Sequence, residues 1–444
     1  MISFSNIFGQ FISKTVTNLV GIAFSVSKIK NRSKGKKTHI PDSFTPVLRF
    51  AVCSDIHLNG EENQIETVRL RQLFEDMYSY SEKNKVYPKL DAVVVAGDFT
   101  GGGAEKEYVM FNKITGEYRK EETQLLTVLG NHEFINYRDV DASVGYDIYK
   151  KYISDNTDTH TVINGFSFIG VSYDPDGKKF TGKLQWLEGE IEKAVKRDSA
   201  KPVFVYQHPA PFMTVYGSVN WGDTDIRKVL KKYPQVVDFS GHSHYAPTDP
   251  RSVWQGSFTA VGCGSLAAFM GNLNYIDGDK DAPGKSGGFR LVEADAEGNI
   301  RMKTYDSENR MFFDSPEYYF TSLSDVKKRS YTWAQQKFLD TPPVFPENAK
   351  VSHSKDDDGN TVLVFPEACG FYEAENYKIN VSRSAFSCVF SDTVISDYVR
   401  ATNNDVFVNA GKLAKGSYKV KITAYSPYAK RGAVLKGVIT VNSH

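Results

Sequence analysis

Five short apolar runs in this chain each stop on residues able to bind a metal, and that coincidence constrains the fold more than anything else in the sequence. The runs LRFAVCS, LDAVVVAG, QLLTVL, KPVFVY and QVVDFS lead into Asp55-Ile56-His57, Gly97-Asp98, Gly130-Asn131-His132, His208-Pro209 and Gly241-His242-Ser243-His244. Short runs that are continuously apolar and rich in β-branched residues fit strands buried on both faces. Open α/β sheets place their sites at the carboxyl ends of such strands. The expectation is a layered α/β core with an active site where the strand ends converge.

The residue types say what that site would hold. His57, His208, His242 and His244 offer imidazole nitrogens, Asp55 and Asp98 carboxylates, and Asn131 a side-chain carbonyl. Seven donors exceed the needs of one tetrahedral zinc, and none is a cysteine. Two metals fit if one carboxylate bridges. A pair roughly 3.5–4 Å apart can generate hydroxide and stabilise both oxygens of an in-line displacement at phosphorus. His132, beside Asn131, would lie at the metals without being a ligand.

The order DxH, GD, GNH, H, GHxH resembles the calcineurin-like metallophosphoesterases over residues 46 to about 310. The resemblance implies two sheets packed face to face with helices outside, and two metal ions (Mn, Fe or Zn, divalent or mixed-valence). It implies that Asp55, His57, Asp98 and His244 hold one ion, and Asn131, His208, His242 and the shared Asp98 the other. It gives His132 a phosphate-contacting or leaving-group-protonating role.

Departures from the family narrow the substrate. Protein phosphatases of the superfamily extend GD to GDxxDRG, but this chain reads Gly97-Asp98-Phe99-Thr100-Gly101-Gly102-Gly103. Purple acid phosphatases carry a tyrosine where Gly101 stands. What remains resembles the bacterial branch with cyclic-nucleotide and glycerophosphodiester phosphodiesterases. A phosphodiesterase is expected; the alternatives are a phosphomonoesterase of the same fold, or a metal-binding scaffold that recruits partners or membrane. The three glycines either leave room near the metals or form a plain flexible turn. Phe212, Tyr216 and Trp221, in the loop after His208, are candidates to stack on a base or cover an apolar leaving group; packing against the domain is the alternative. Arg251, behind the GHSH motif, is a candidate to read a phosphate oxygen; a surface salt bridge is its bland alternative.

Composition leaves the assignment standing. The formal charge of +1 over 444 residues gives no general field for nucleic acid. Cys53, Cys263, Cys369 and Cys388 are too widely spaced for a disulfide framework, which fits a cytoplasmic setting. Between Phe4 and Val26 apolar residues recur at helical spacing, and Lys28, Lys30, Arg32, Lys34, Lys36 and Lys37 follow. A secretory signal carries its positive charge before the apolar region, not after it. Residues 1–40 therefore read as an in-plane amphipathic helix with a basic leader, peripheral on an anionic inner membrane surface; the competing readings are a helix packed on the protein, a disordered leader and a true anchor.

The remaining expectations concern organisation. Helices are expected at 65–84, 104–120 and 182–197, a hairpin at 161–173, and closing β-structure at 286–305. The catalytic domain would span 46–325, a helix and Pro342-Pro343 linker 326–343, and an all-β sandwich resembling fibronectin type III 344–444.

Overall fold

The computed structural model describes residues 38–442, apart from 176–178, 181, 272–273, 276–285, 315, 385–386, 397–398 and 400–404. The amphipathic helix and basic leader expected at 1–40 lie outside the described residues, save for the last three positions.

The strands run β1 (Leu48–Cys53), β2 (Ala92–Val95), β3 (Gln124–Thr127), β4 (Thr159–Ile163), β5 (Phe166–Val171), β6 (Val203–Pro209), β7 (Val236–Gly241), β8 (Val253–Gln255), β9 (Thr259–Gly262), β10 (Met270–Gly271), β11 (Asn274–Tyr275), β12 (Gly288–Ala294), β13 (Ile300–Asp306), β14 (Met311–Phe312) and β15 (Tyr318–Phe320). One sheet has the order β14-β13-β12-β1-β2-β3, with β15 also on β13; the other has the order β4-β5-β6-β7-β9-β8. β1, β2 and β3 are parallel, as are β5, β6, β7 and β9.

The continuous apolar runs follow from this layering. Phe50 and Val52 of β1 point between the sheets, where Phe50 meets Phe168 and Phe204 at ring distances of 5.0 Å. Ala51 and Cys53, one residue out of phase, face helices Ile65–Glu82 and Glu105–Tyr118 instead. The second sheet does the same, with Val203, Val205 and Val236 turned to helices Leu184–Arg197 and Thr224–Leu230. Every position along such a strand is buried, so alternation disappears.

The expected single helix leading out of this unit is divided. A 3-10 turn, Val326–Lys328, starts on the Asp325 side chain, and helix Trp333–Leu339 starts afresh on a Thr332–Gln335 capping box. Between them Arg329 is pinned, donating to Pro234 O and Leu323 O. Two start signals and a tethered arginine interrupt one helix.

Beyond Asp340 lie β16 (Ser352–Lys355), β17 (Thr361–Phe365), β18 (Asn376–Ser384), β19 (Ser387–Ile395), β20 (Val406–Asn409), β21 (Gly416–Tyr425) and β22 (Arg431–Val441). They form antiparallel sheets β16-β17-β20 and β19-β18-β21-β22 around a separate core that includes Leu363, Tyr377, Ile379 and Val420. Tyr418, Val420 and Ile422 are buried while Lys419 and Lys421 are exposed, the alternation of a sheet wetted on one side. No helix among the described residues is long and apolar enough to cross a membrane. All four cysteines are free.

Candidate metal centre

The loops that carry the donor side chains leave the strand ends through strained backbone. Asp55, His57, Asp98, His242 and His244 all have positive φ, between 51° and 68°. Left-handed backbone costs an L-residue roughly 1–2 kcal/mol, and it persists only where the surroundings over-determine it. Five such residues, drawn from the loops after β1, β2 and β7, gather at a single site, which is where functional strain collects.

The glycines of the motifs exist because the loops crowd one another. A Cβ on Gly130 would sit 2.2 Å from Asp98 Oδ1, one on Gly97 2.7 Å from His208 Nδ1, and one on Gly241 1.8 Å from Ser54 Oγ. Any side chain at these positions would displace one of the converging donors.

Three groups of donors converge: Asp55 with His57 and His244; His57 with Asp98 and His132; and Asp98 with His208 and His242. His244 Nε2 lies 3.1 Å from both His57 Nε2 and Asp55 Oδ1, and His208 Nε2 lies 2.9 Å from Asp98 Oδ2. Two rings are aimed by their other nitrogen, since Nδ1 of His208 donates to Ala96 O and Nδ1 of His244 to Ala268 O. Those contacts set the tautomer and turn Nε2 inward. Asn131 Oδ1 is buried with no hydrogen-bond partner, although a carbonyl oxygen in that position needs one. An orphaned oxygen beside imidazole and carboxylate donors fits a divalent cation.

The electrostatics point the same way. Burial opposes the charge on Asp55, but His244 and His208 hold its carboxyl well below the usual range. Asp98 is likewise held down against burial, chiefly by His208. Burial alone would lower His208, yet Asp98 and Asp55 push it up to about 9. His242 drops to about 3 through burial and the neighbouring His208. The buried carboxylate pair draws positive charge onto its surroundings, as a cation site does.

The other expected residues divide. His132 stands beside the donors, its Nδ1 bonded to Gly101 O and its Nε2 4.0 Å from Asp98 Oδ2. Trp221 lies edge-on to His242 at 6.3 Å. Arg251 and Tyr216 are engaged elsewhere. The Arg251 guanidinium pairs with Asp249 and Glu375 and covers the Tyr216 ring at 3.7 Å, while Tyr245 stacks on that ring at 3.8 Å. A parallel ring and a guanidinium at such distances must occupy opposite faces, which leaves Tyr216 none for a base.

Sequence reasoning passed over the carboxylates that brace the site. Glu133, fully buried, accepts from the amides of Asp98, Thr100 and Gly130 and from Thr100 Oγ1. Burial and the Asp98 charge push its pKa up to about 7, against the pull of its amide donors. Glu107 collects the amides of Gly102, Gly103 and Ala104. The triple-glycine segment is thus a closed turn, and its Gly101 carbonyl aims His132. The sequence offered only their positions as a signal: Glu133 completes GNHE, and Glu107 stands just inside the helix that follows the triple glycine.

Comparison with known proteins agrees with this geometry. Residues 48–246 match the calcineurin-like phosphoesterase family, and this part of the chain is a calcineurin-like phosphoesterase domain. A UPF0046 protein of Caenorhabditis elegans is 24% identical over 228 residues, covering 49% of this chain and 70% of its own. A purple acid phosphatase from yellow lupin (Lupinus luteus) seeds superposes with a TM-score of 0.44 at 15% identity, over 63% of this chain and 54% of that one. An endo-beta-1,4-mannanase from Thermotoga petrophila gives 0.28 at 10% identity, over 89% and 98%. Neither superposition is close enough to bear on mechanism.

Proposed function

We propose that the chain is a dinuclear metal-dependent phosphodiesterase. Asp55, His57, Asp98 and His244 would hold one ion, and Asp98, Asn131, His208 and His242 the other. The carrying observation is the overlap of the three donor groups, in which Asp98 belongs to two and stands between His57 and His208. Nitrogen and oxygen donors without sulfur suit manganese, iron or zinc. Such ions, when bound, polarise phosphoryl oxygens and acidify water.

The chain's own residues supply positioning and a proton. His132 is partly exposed, and the Gly101 carbonyl leaves its Nε2 free to meet a phosphate or the departing oxygen. The lack of an Asp-Arg pair after Asp98, with glycine at 101, supports a diester substrate over the protein phosphatase and purple acid phosphatase chemistries. The C-terminal strand order, β16-β17-β20 facing β19-β18-β21-β22, supports a fibronectin type III-like module. The helical spacing and basic flank of residues 1–40 support docking on an anionic membrane surface.

The test is hydrolysis of bis-(p-nitrophenyl) phosphate against p-nitrophenyl phosphate, with and without added Mn²⁺, alongside elemental analysis. Faster turnover of the diester with two ions per chain is expected. Two ions without turnover would leave a metal-binding scaffold, and no ions would end the proposal.

A further inference from the structure

The C-terminal sandwich reaches the ligand loop itself. Glu375, the residue before β18, is buried and pairs with Arg251 of the catalytic unit. Arg251 also makes a two-point pair with Asp249, through Nε at 2.9 Å and Nη2 at 2.6 Å. Its guanidinium lies on Tyr216, and Tyr216 stacks on Tyr245 at 15° between planes. Tyr245 directly follows His244. Trp221 closes the far side, 6.1 Å from Tyr245 and 6.3 Å from His242. Gly217, at φ 84°, presses the same loop onto Ser243 and Tyr245, where a Cβ would come within 2.7–2.8 Å. A second contact lies on the same segment, where Ala246 and Phe269 pack against Val399 and Ile395 of the sandwich.

From this arrangement we infer that Glu375 is a positioning residue for the metal centre, and that the sandwich is an integral wall of that centre. The physical need is plain. His242 and His244 both hold left-handed backbone, a conformation that neighbours must enforce. The β7 end fixes this loop on one side. On the other side Tyr245 bridges Met270 and is clamped in a stack whose outer member, Arg251, is held by Asp249 of its own segment and by Glu375 of the sandwich. A bidentate guanidinium held by two carboxylates is a rigid element, which a lysine cannot reproduce.

The inference rests on the metal-centre reading, and its test separates the two. Mn²⁺ affinity of the metal-free full-length protein is measured by calorimetry, with kcat, KM and melting temperature on the same samples. Glu375→Ala and Arg251→Lys should weaken Mn²⁺ binding about tenfold or more, the scale of outer-shell substitutions, and should lower kcat more than KM changes. Glu375→Gln, whose amide oxygen can still accept from Arg251, should fall between these and wild type, and it serves if Glu375→Ala does not fold. Val408→Ala loosens the sandwich core away from this contact; it should lower the melting temperature and leave Mn²⁺ affinity alone. Glu375 variants that melt lower yet bind Mn²⁺ and turn over like wild type would overturn the inference. Wild-type protein that binds no Mn²⁺ would instead overturn the metal-centre reading.

Discussion

Replacing Glu133 by glutamine changes one oxygen to an NH₂ group and almost no volume, so its cost can be worked out from the hydrogen bonds. One carboxylate oxygen receives Asp98 N at 3.0 Å and Gly130 N at 2.6 Å; the other receives Thr100 N and Thr100 Oγ1, both at 2.9 Å. Glutamine keeps its oxygen on the side with two amides and turns its NH₂ toward Thr100. The Thr100 hydroxyl can rotate to accept, but Thr100 N is left facing a donor. One buried unsatisfied amide costs about 1–3 kcal/mol. Alanine would orphan three amides, about 3–9 kcal/mol by the same figure, comparable with the whole stability of a domain. Glu133→Gln should therefore fold with reduced urea stability, and Glu133→Ala should express poorly. Because the same carboxylate ties the Asp98 turn to the Asn131 turn, Mn²⁺ affinity of the glutamine variant should fall about 10–100-fold. A glutamine variant with wild-type stability and wild-type Mn²⁺ binding would refute the bracing role.

Asp98→Ala should lose both ions in elemental analysis, whereas Asn131→Ala should lose mainly one; two ions retained in the Asp98 variant would rule out a shared carboxylate. His132→Ala should keep its metals and lose about 10²–10⁴-fold on esters with poor leaving groups, with a smaller loss on nitrophenyl esters; equal losses would point to phosphate contact alone. Burial pushes the Asp238 carboxyl, fully enclosed against Gln207, up to about 8. A raised folded-state pKa gives stability that is fully present below about 4, declines as pH rises, and is lost through about 8. Urea stability of Asp238→Asn should lack that decline, and a parallel pH profile would show that Asp238 is not its source. Deleting residues 1–37 should leave hydrolysis intact and abolish salt-sensitive binding to anionic liposomes; full-length protein that ignores such liposomes at low salt would exclude membrane docking.

The parallel strands and their order of ligands were legible because both rest on local chemistry. Runs such as AVVV of β2, buried from both sides, carry the layering in their composition, and a donor after each run marks the carboxyl end. The three expected helices were legible to within two residues, whereas the shorter helices Ser143–Tyr152 and Thr224–Leu230 were not expected. The division of the 322–339 segment was not, because it depends on Arg329 reaching Pro234 and Leu323. Nor could the roles of Glu133, Glu107 and Arg251 be read from the chain alone. A glutamate after GNH and an arginine after GHSH look the same in sequence whether they face solvent, substrate or another loop. Burial and the distance between segments decide that, and Arg251 meets Glu375 across 124 residues of sequence. Sequence by itself determined which donor side chains follow which strands. Tertiary structure alone decided which carboxylates hold those loops in left-handed backbone, and that a separate β-sandwich closes the far wall of the site.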